Sequence, residues 1–188
     1  SLYHKEDERY VIVNLSFSLV PGDKLALIGE EGNGKSLLLR ALAVPEQLPT
    51  IEISGEIRLT DRVIAYLPQE IPPEVHELTT VAYLEQEIGR EYFDYAHYYE
   101  LLDRMGIPES LVEENRLIRT LSGGEKIKFL LLVECLRRPD LYLLDEPSND
   151  LDIPSLLWLE SFILSLDTPL LYVSHDEVLL ENTANAIL

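Results

Sequence analysis

The chain is poor in basic residues: 15 lysines and arginines stand against 34 acids, a formal charge of −19 at neutral pH. A domain with that overall field repels nucleic acid and anionic lipid, so nonspecific binding to either is disfavoured, while a local basic patch stays compatible with the total. Cysteine is rarer still. The single Cys135 forbids an internal disulfide and, inside an apolar helical run, reads as a small core residue. No apolar run reaches the length of a membrane span, and no signal-peptide pattern opens the chain. These absences predict a cytoplasmic protein with no direct membrane insertion. An initiating methionine is also missing, and Asn185-Ala186-Ile187-Leu188 reads like the beginning of a strand. Both ends therefore predict a piece of a longer polypeptide, with residues 1–188 as one domain.

What is present centres on Gly29-Glu30-Glu31-Gly32-Asn33-Gly34-Lys35-Ser36, which fits the G-x-x-x-x-G-K-[ST] loop that wraps nucleotide phosphates. Lys24 to Ile28 before it reads as a buried strand, and Leu37 to Leu42 after it as a helix ending near Val44-Pro45. Glycines let successive N–H groups point inward at phosphate oxygens, and the helix N-terminus adds its positive end. Lys35 would reach the β- and γ-phosphates of ATP, and the Ser36 hydroxyl would complete a Mg²⁺ shell.

The remaining pattern is that of an α/β fold. Tyr10 to Val20 alternates loosely up to the Pro21-Gly22-Asp23 turn and predicts a half-buried antiparallel strand. Ile51, Ile53, Ile57 and Leu59 alternate around Gly55 and predict a hairpin region; Val63 to Leu67 predicts a strand that delivers Gln69. From about residue 72 to 118 lysine vanishes, acids accumulate and helical spacing takes over. This predicts an inserted helical subdomain, with one helix capped by Thr79 or Thr80 and running to about Ile88, and another from about Tyr92 to Met105 ending at Gly106. Tyr92, Tyr95, Tyr98 and Tyr99 either pack that helical layer with Leu102 and Met105 or form a docking surface. Leu121-Ser122-Gly123-Gly124-Glu125 then precedes a helix from about Lys126 to Arg137. Leu141 to Leu144 is a buried parallel strand delivering Asp145-Glu146-Pro147. Pro154 opens a helix over about Ser155 to Leu166, and Pro169 to Val173 is a further strand, delivering Ser174-His175-Asp176 ahead of a last helix. Strands alternating with helices, each ending in polar residues, predict a parallel sheet with its site along the strand C-termini.

Those strand ends supply what phosphoryl transfer to water requires. Asp145 is the expected Walker-B acid that holds Mg²⁺ through its shell, which leaves Glu146 free to polarise the attacking water as general base. Gln69 can sit at metal and water, and His175 can donate a hydrogen bond to the γ-phosphate.

The order of phosphate loop, Gln69, L-S-G-G-E, L-Y-L-L-D-E-P, S-N-D-L-D and S-H-D resembles that of an ATP-binding-cassette (ABC) ATPase over nearly the whole chain. The resemblance implies a P-loop NTPase core, its parallel sheet flanked by helices, with an N-terminal antiparallel β subdomain and the helical insert at about 72–118. It implies Mg²⁺-dependent ATP hydrolysis by one cassette that pairs head-to-tail with a second, in the same chain or in a homodimer. Ser122, Gly123, Gly124 and Glu125 would then cap the partner's ATP, Ser148 to Asp152 would communicate across the pair, and Gly29 to Leu37 would cradle the cassette's own nucleotide. An aromatic that stacks on adenine usually lies upstream, where Tyr3 and Tyr10 both qualify. Within the family the chain is most similar to the soluble ABC-F proteins, which act on the ribosome; its cues are Glu125, the S-N-D-L-D-I run followed by Trp158-Leu159-Glu160, and the short helical insert. The alternative is the nucleotide-binding subunit of a membrane transporter, with the insert as docking face for a membrane partner. Glu30 and Glu31 depart from the family pattern, and two carboxylates beside a polyphosphate weaken binding unless they point to water. Leu37 after Ser36 and Asp150 are further departures.

Overall fold

A computed structural model describes residues 1–30, 32–59, 61–90 and 93–188. Two sheets organise the chain. The first is antiparallel and small: β1 (Leu2–His4) pairs on one side with β2 (Arg9–Ile12) and on the other with β4 (Ile51–Ile53). The second is parallel, ordered β5 (Ile64–Leu67), β6 (Leu141–Asp145), β7 (Leu170–Val173), β3 (Lys24–Ala26), β8 (Ala186–Ile187). Every residue of β6 and β7 is buried, as expected of strands with neighbours on both sides and helices above and below. Because all pairings are parallel, β3, β5, β6 and β7 end along one edge. The residues just beyond them therefore meet there.

Eight helices complete the described fold, with short 3₁₀ turns at Pro45–Gln47 and Ile118–Thr120. They are α1 (Lys35–Ala43), α2 (Pro73–His76), α3 (Thr80–Ile88), α4 (Tyr95–Met105), α5 (Ser110–Glu113), α6 (Gly123–Leu136), α7 (Ile153–Ser165) and α8 (Glu177–Thr183). Their starts are chemically marked. Thr79, Asp94, Ser122, Asp152 and Asp176 each accept a backbone N–H of the first turn, which satisfies donors that the helix itself leaves orphaned. On one face of the parallel sheet, α1 and the antiparallel sheet close a core containing Leu38, Leu39, Leu143 and Leu171. On the other, α6 sits between that sheet and the insert, apolar nearly all round as a sandwiched helix must be. The indole N–H of Trp158 donates to the Met105 carbonyl at 2.6 Å, tying α7 to the end of α4.

Several expected boundaries move. The strand from Tyr10 to Val20 stops at Ile12: Asn14 takes a left-handed φ of 54°, and the alternation continues only as Leu15, Phe17 and Leu19 packing on the core without a ladder partner. The hairpin around Gly55 does not form, since β4 pairs with β1 instead and Ile57 is exposed. α4 begins at Tyr95 because Asp94 caps it; Tyr92, placed at its start by the sequence pattern, lies outside the described residues. α6 begins at Gly123, three residues earlier than the apolar run indicates, because Ser122 and Glu125 form a reciprocal capping box.

Candidate functional site

The phosphate loop turns out of β3 into α1 through Gly34, whose φ of +83° is left-handed and whose missing Cβ would collide with the Val11 side chain. Both conditions demand glycine. The Lys35 ammonium donates to the carbonyls of Gly29 at 2.5 Å and Glu30 at 2.8 Å, so it is held in the loop it serves. The Ser36 hydroxyl donates to Asp145 Oδ1 at 2.9 Å, joining the start of α1 to the end of β6.

Asp145 is buried, and that burial pushes its carboxyl above the usual range; the Ser36 hydrogen bond pulls it back, and Glu146 beside it pushes it up again. Tyr66 on β5 is half-buried near the same carboxylate, and desolvation first, then Asp145, raise its phenol to about 12. A divalent cation fits this position. Its donors would be one hydroxyl and one desolvated carboxylate, and no cluster of three or more His, Cys, Asp or Glu exists among the described residues. A cation held there completes its shell with phosphate oxygens and water, the usual preference of Mg²⁺.

Glu146 is buried at a left-handed φ of 49°, an uncommon conformation for a non-glycine residue. Its N–H donates to the Val173 carbonyl at 2.9 Å, and its Oε2 accepts the His175 backbone N–H at 3.0 Å. Oε1 lies 3.2 Å from His175 Nε2 and is buried without a hydrogen bond. A cavity of about 860 Å³ is lined by Gly32, Gly34, Lys35, Ser36, Leu37, Gln69, Glu146 and His175, whereas Asp145 lines an adjoining cavity of about 550 Å³ with Gln69, Glu146 and Gly123.

Other expected site residues fall outside that lining. Glu30 is exposed to water, away from the cavity wall, which removes one of the two repulsive carboxylates; Glu31 lies outside the described residues. Gly29 and Asn33 shape the loop without lining the cavity. Tyr10 is corrected. It is 61% exposed and packs edge-on against Tyr3, with ring centroids 5.0 Å apart. Because β1 and β2 pair Tyr3 with Tyr10 and His4 with Arg9, the tyrosines share the face opposite the cavity. His4, Asp7, Arg9 and Val11 form the cavity wall there. The Asp7 N–H donates to His4 Nδ1 at 3.2 Å, and Asp7 Oδ2 lies 3.5 Å from the same nitrogen. These four residues and Asn149 were missed; the signal available was that His4 precedes a polar turn, which period-2 alternation alone does not assign to a face.

Ser122, Gly123, Gly124 and Glu125 are not brought to this cavity. Glu125 has an internal role: Oε2 accepts the Ser122 N–H at 2.9 Å and Oε1 accepts from Arg116 at 2.6 Å, and these contacts, Arg116 foremost, lower its pKa. The glycines are dictated by packing. A Cβ on Gly123 would approach the Asp150 carbonyl oxygen to 2.7 Å, and one on Gly124 would overlap the Ser155 hydroxyl. The Ser148–Asp152 loop is thereby seated on the first turn of α6. The same loop meets the catalytic edge, where Ser148 Oγ and Ser174 Oγ are 3.0 Å apart and Asn149 lines the cavity.

A parallel sheet with a phosphate loop after β3, an acid pair ending β6 and a histidine ending β7 defines an ABC-type ATPase domain. The model of the ABC transporter family matches residues 12–149, and the chain belongs to that family. It is 32% identical over 217 aligned positions to the energy-dependent translational throttle protein EttA of Escherichia coli (strain K12), covering 96% of this chain and 38% of that protein. It is 34% identical over 180 positions to the ribosome protection protein VmlR of Bacillus subtilis (strain 168), covering 95% of this chain and 31% of that protein. The chain thus spans about a third of the length of these curated relatives. A solved ATP-binding subunit of an ABC transporter has the same fold, with a TM-score of 0.71, 24% identity, and coverage of 95% of this chain and 78% of that one. Among the described residues, no helix is long and apolar enough to cross a membrane.

Proposed function

We propose that this cassette binds ATP with Mg²⁺, hydrolyses it to ADP and phosphate, and does so paired head-to-tail with a second cassette in a ribosome-associated protein of ABC-F type. The observation that carries the reading is the single cavity lined by Lys35, Ser36, Gln69, Glu146 and His175. Lys35 exchanges the carbonyls of Gly29 and Glu30 for phosphate oxygens. Ser36 and Asp145 would hold Mg²⁺, with Gln69 near it, and the cation would supply neutralisation of phosphate charge. The Glu146 carboxylate takes the proton of the attacking water, while the backbone N–H of His175 fixes Oε2. The new bond joins water oxygen to phosphorus, and the bond to the ADP oxygen breaks. The His175 imidazole, half-exposed, donates to the γ-phosphate. His4 and Arg9 border the base end.

Pairing is supported by the position of Ser122 to Gly124 outside the cavity lining, at the capped N-terminus of α6, a geometry that suits a phosphate brought by another subunit. The ribosomal role is supported by the likeness to EttA and VmlR. The transporter reading would dock a membrane partner at the cavity of about 550 Å³ between the α2 segment and α6, whose floor reaches Gln69, Asp145 and Glu146. The test uses the full-length parent chain carrying Glu146→Gln, with the matching change in any sister cassette. ATP-dependent cosedimentation with ribosomes is expected. Recovery in membranes with a partner, and not with ribosomes, would replace the ribosomal reading with the transporter one.

A further inference from the structure

We propose that the outer face of α4 and the adjoining carboxylates of α5 form a docking surface for an arginine-rich polypeptide segment, separate from the nucleotide cavity. α4 is divided lengthwise. Tyr98, Leu101, Leu102 and Met105 are buried in the core, whereas Tyr95 is 66% and Tyr99 47% exposed. Tyr95, Tyr99 and Asp103 follow one another at every fourth position, so they form one stripe down the helix. The tyrosines are braced from within: Phe93 meets Tyr95 edge-on at 4.7 Å, and buried Tyr98 meets Tyr99 edge-on at 5.2 Å. Rings supported on one side and open on the other lose little freedom when something stacks on them.

The charge around the stripe is mostly negative, although Arg104 is exposed on the same helix, four residues after Glu100. Asp103 ends it and Glu100 lies beside it on α4, and Glu109, the N-cap of α5, and Glu113 on α5 are near enough to Tyr98 to add, after burial, to the rise of its phenol to about 12. Among the described residues Asp103, Glu109 and Glu113 make no ion pair, and Glu100 has only His97 Nδ1 at 3.8 Å. Over residues 72–118 the sequence carries eleven acids, three arginines and no lysine. Two of those arginines are engaged elsewhere, Arg90 with Glu85 and Arg116 with Glu114 and Glu125. The partner that complements both features is a cation with a flat face. A guanidinium stacks on tyrosine and bonds carboxylates through a planar fork, which a lysine ammonium cannot do.

The test measures fluorescence anisotropy of labelled nona-arginine and nona-lysine with the full chain at physiological salt. Nona-arginine is expected to bind a few-fold more tightly, because a guanidinium stacks flat on the two exposed rings and forks onto carboxylates where an ammonium makes only a point contact. Tyr95→Ser with Tyr99→Ser should remove that advantage and weaken nona-lysine less than nona-arginine, while Tyr95→Phe with Tyr99→Phe should retain it. Glu109→Gln with Glu113→Gln should weaken both peptides. If the serine variant fails to fold, Tyr95→Leu with Tyr99→Leu makes the same comparison without an aromatic face. Equal affinity for the two peptides, no binding of either, or an arginine preference that survives loss of both rings overturns the proposal.

Discussion

Glu134 offers a quantitative check on the packing of the insert against the core. It lies on α6 and is buried, with Arg137 one turn on at 3.0 Å as its ionic partner and Glu87 and Tyr83 of α3 nearby. Burial above all, with a further push from Glu87, raises its carboxyl from 4.5 to about 7 despite Arg137. Below pH 4.5 the group is protonated in both folded and unfolded chains and contributes nothing to the pH dependence. Between pH 4.5 and 7 the folded chain retains a proton that the unfolded chain has lost, so stability falls as pH rises. Above pH 7 both are ionised and the folded state carries the full cost, roughly 3 kcal/mol from the separation of the two values. Glu134→Gln keeps the shape and removes the titration. Urea unfolding of both proteins at pH 5 and pH 8 should give a difference in stability that moves in favour of the variant by about 2–3 kcal/mol across that interval. Burial raises Asp145 in the same direction, but that contribution is common to both proteins and cancels. Parallel pH–stability curves would refute the reasoning, because they would mean that Glu134 is solvated.

Four further outcomes follow from the geometry. Gly124→Ala should destabilise by about 1–3 kcal/mol in thermal unfolding, since the new Cβ meets Ser155, and Ser155→Ala should partly restore stability. Ser122→Ala removes the cap of α6 and should cost about 1 kcal/mol, measured by denaturant unfolding. Lys35→Ala should abolish binding of a fluorescent ATP analogue while barely moving the melting temperature, because its present partners are loop carbonyls near solvent. In the same titration, His4→Ala should weaken binding and Tyr10→Ala should leave it unchanged, as only His4 lines the cavity.

What was legible in the sequence was whatever local spacing determines. The phosphate loop, Asp145-Glu146 after four apolar residues, and Thr79 ahead of α3 each declare themselves within a few positions. Parallel strands buried on both faces are also plain, as at Leu141 to Leu144 and Leu170 to Val173. Long-range pairing was not legible. Nothing local says that β4 pairs with β1 rather than turning back at Gly55, or that Leu15, Phe17 and Leu19 pack without a ladder. The base end of the site failed for the same reason. Which face of β1–β2 meets the cavity depends on a register that includes an irregularity between Leu2 and Tyr3, so local alternation does not say that His4 lines the cavity and Tyr10 does not. The glycines after Ser122 looked like an anion loop. The structure adds a packing reason, the close seat of Asp150 and Ser155.

The central claim is that Glu146 acts on the attacking water and not on nucleotide binding. The most direct measurement compares steady-state ATP hydrolysis and ATP affinity in the parent chain before and after Glu146→Gln. Removal of a general base should lower turnover by about 10²–10⁴-fold while affinity stays within a few-fold, because Lys35, Ser36 and the loop amides are untouched. Unchanged turnover, or affinity lost together with turnover, would contradict the account.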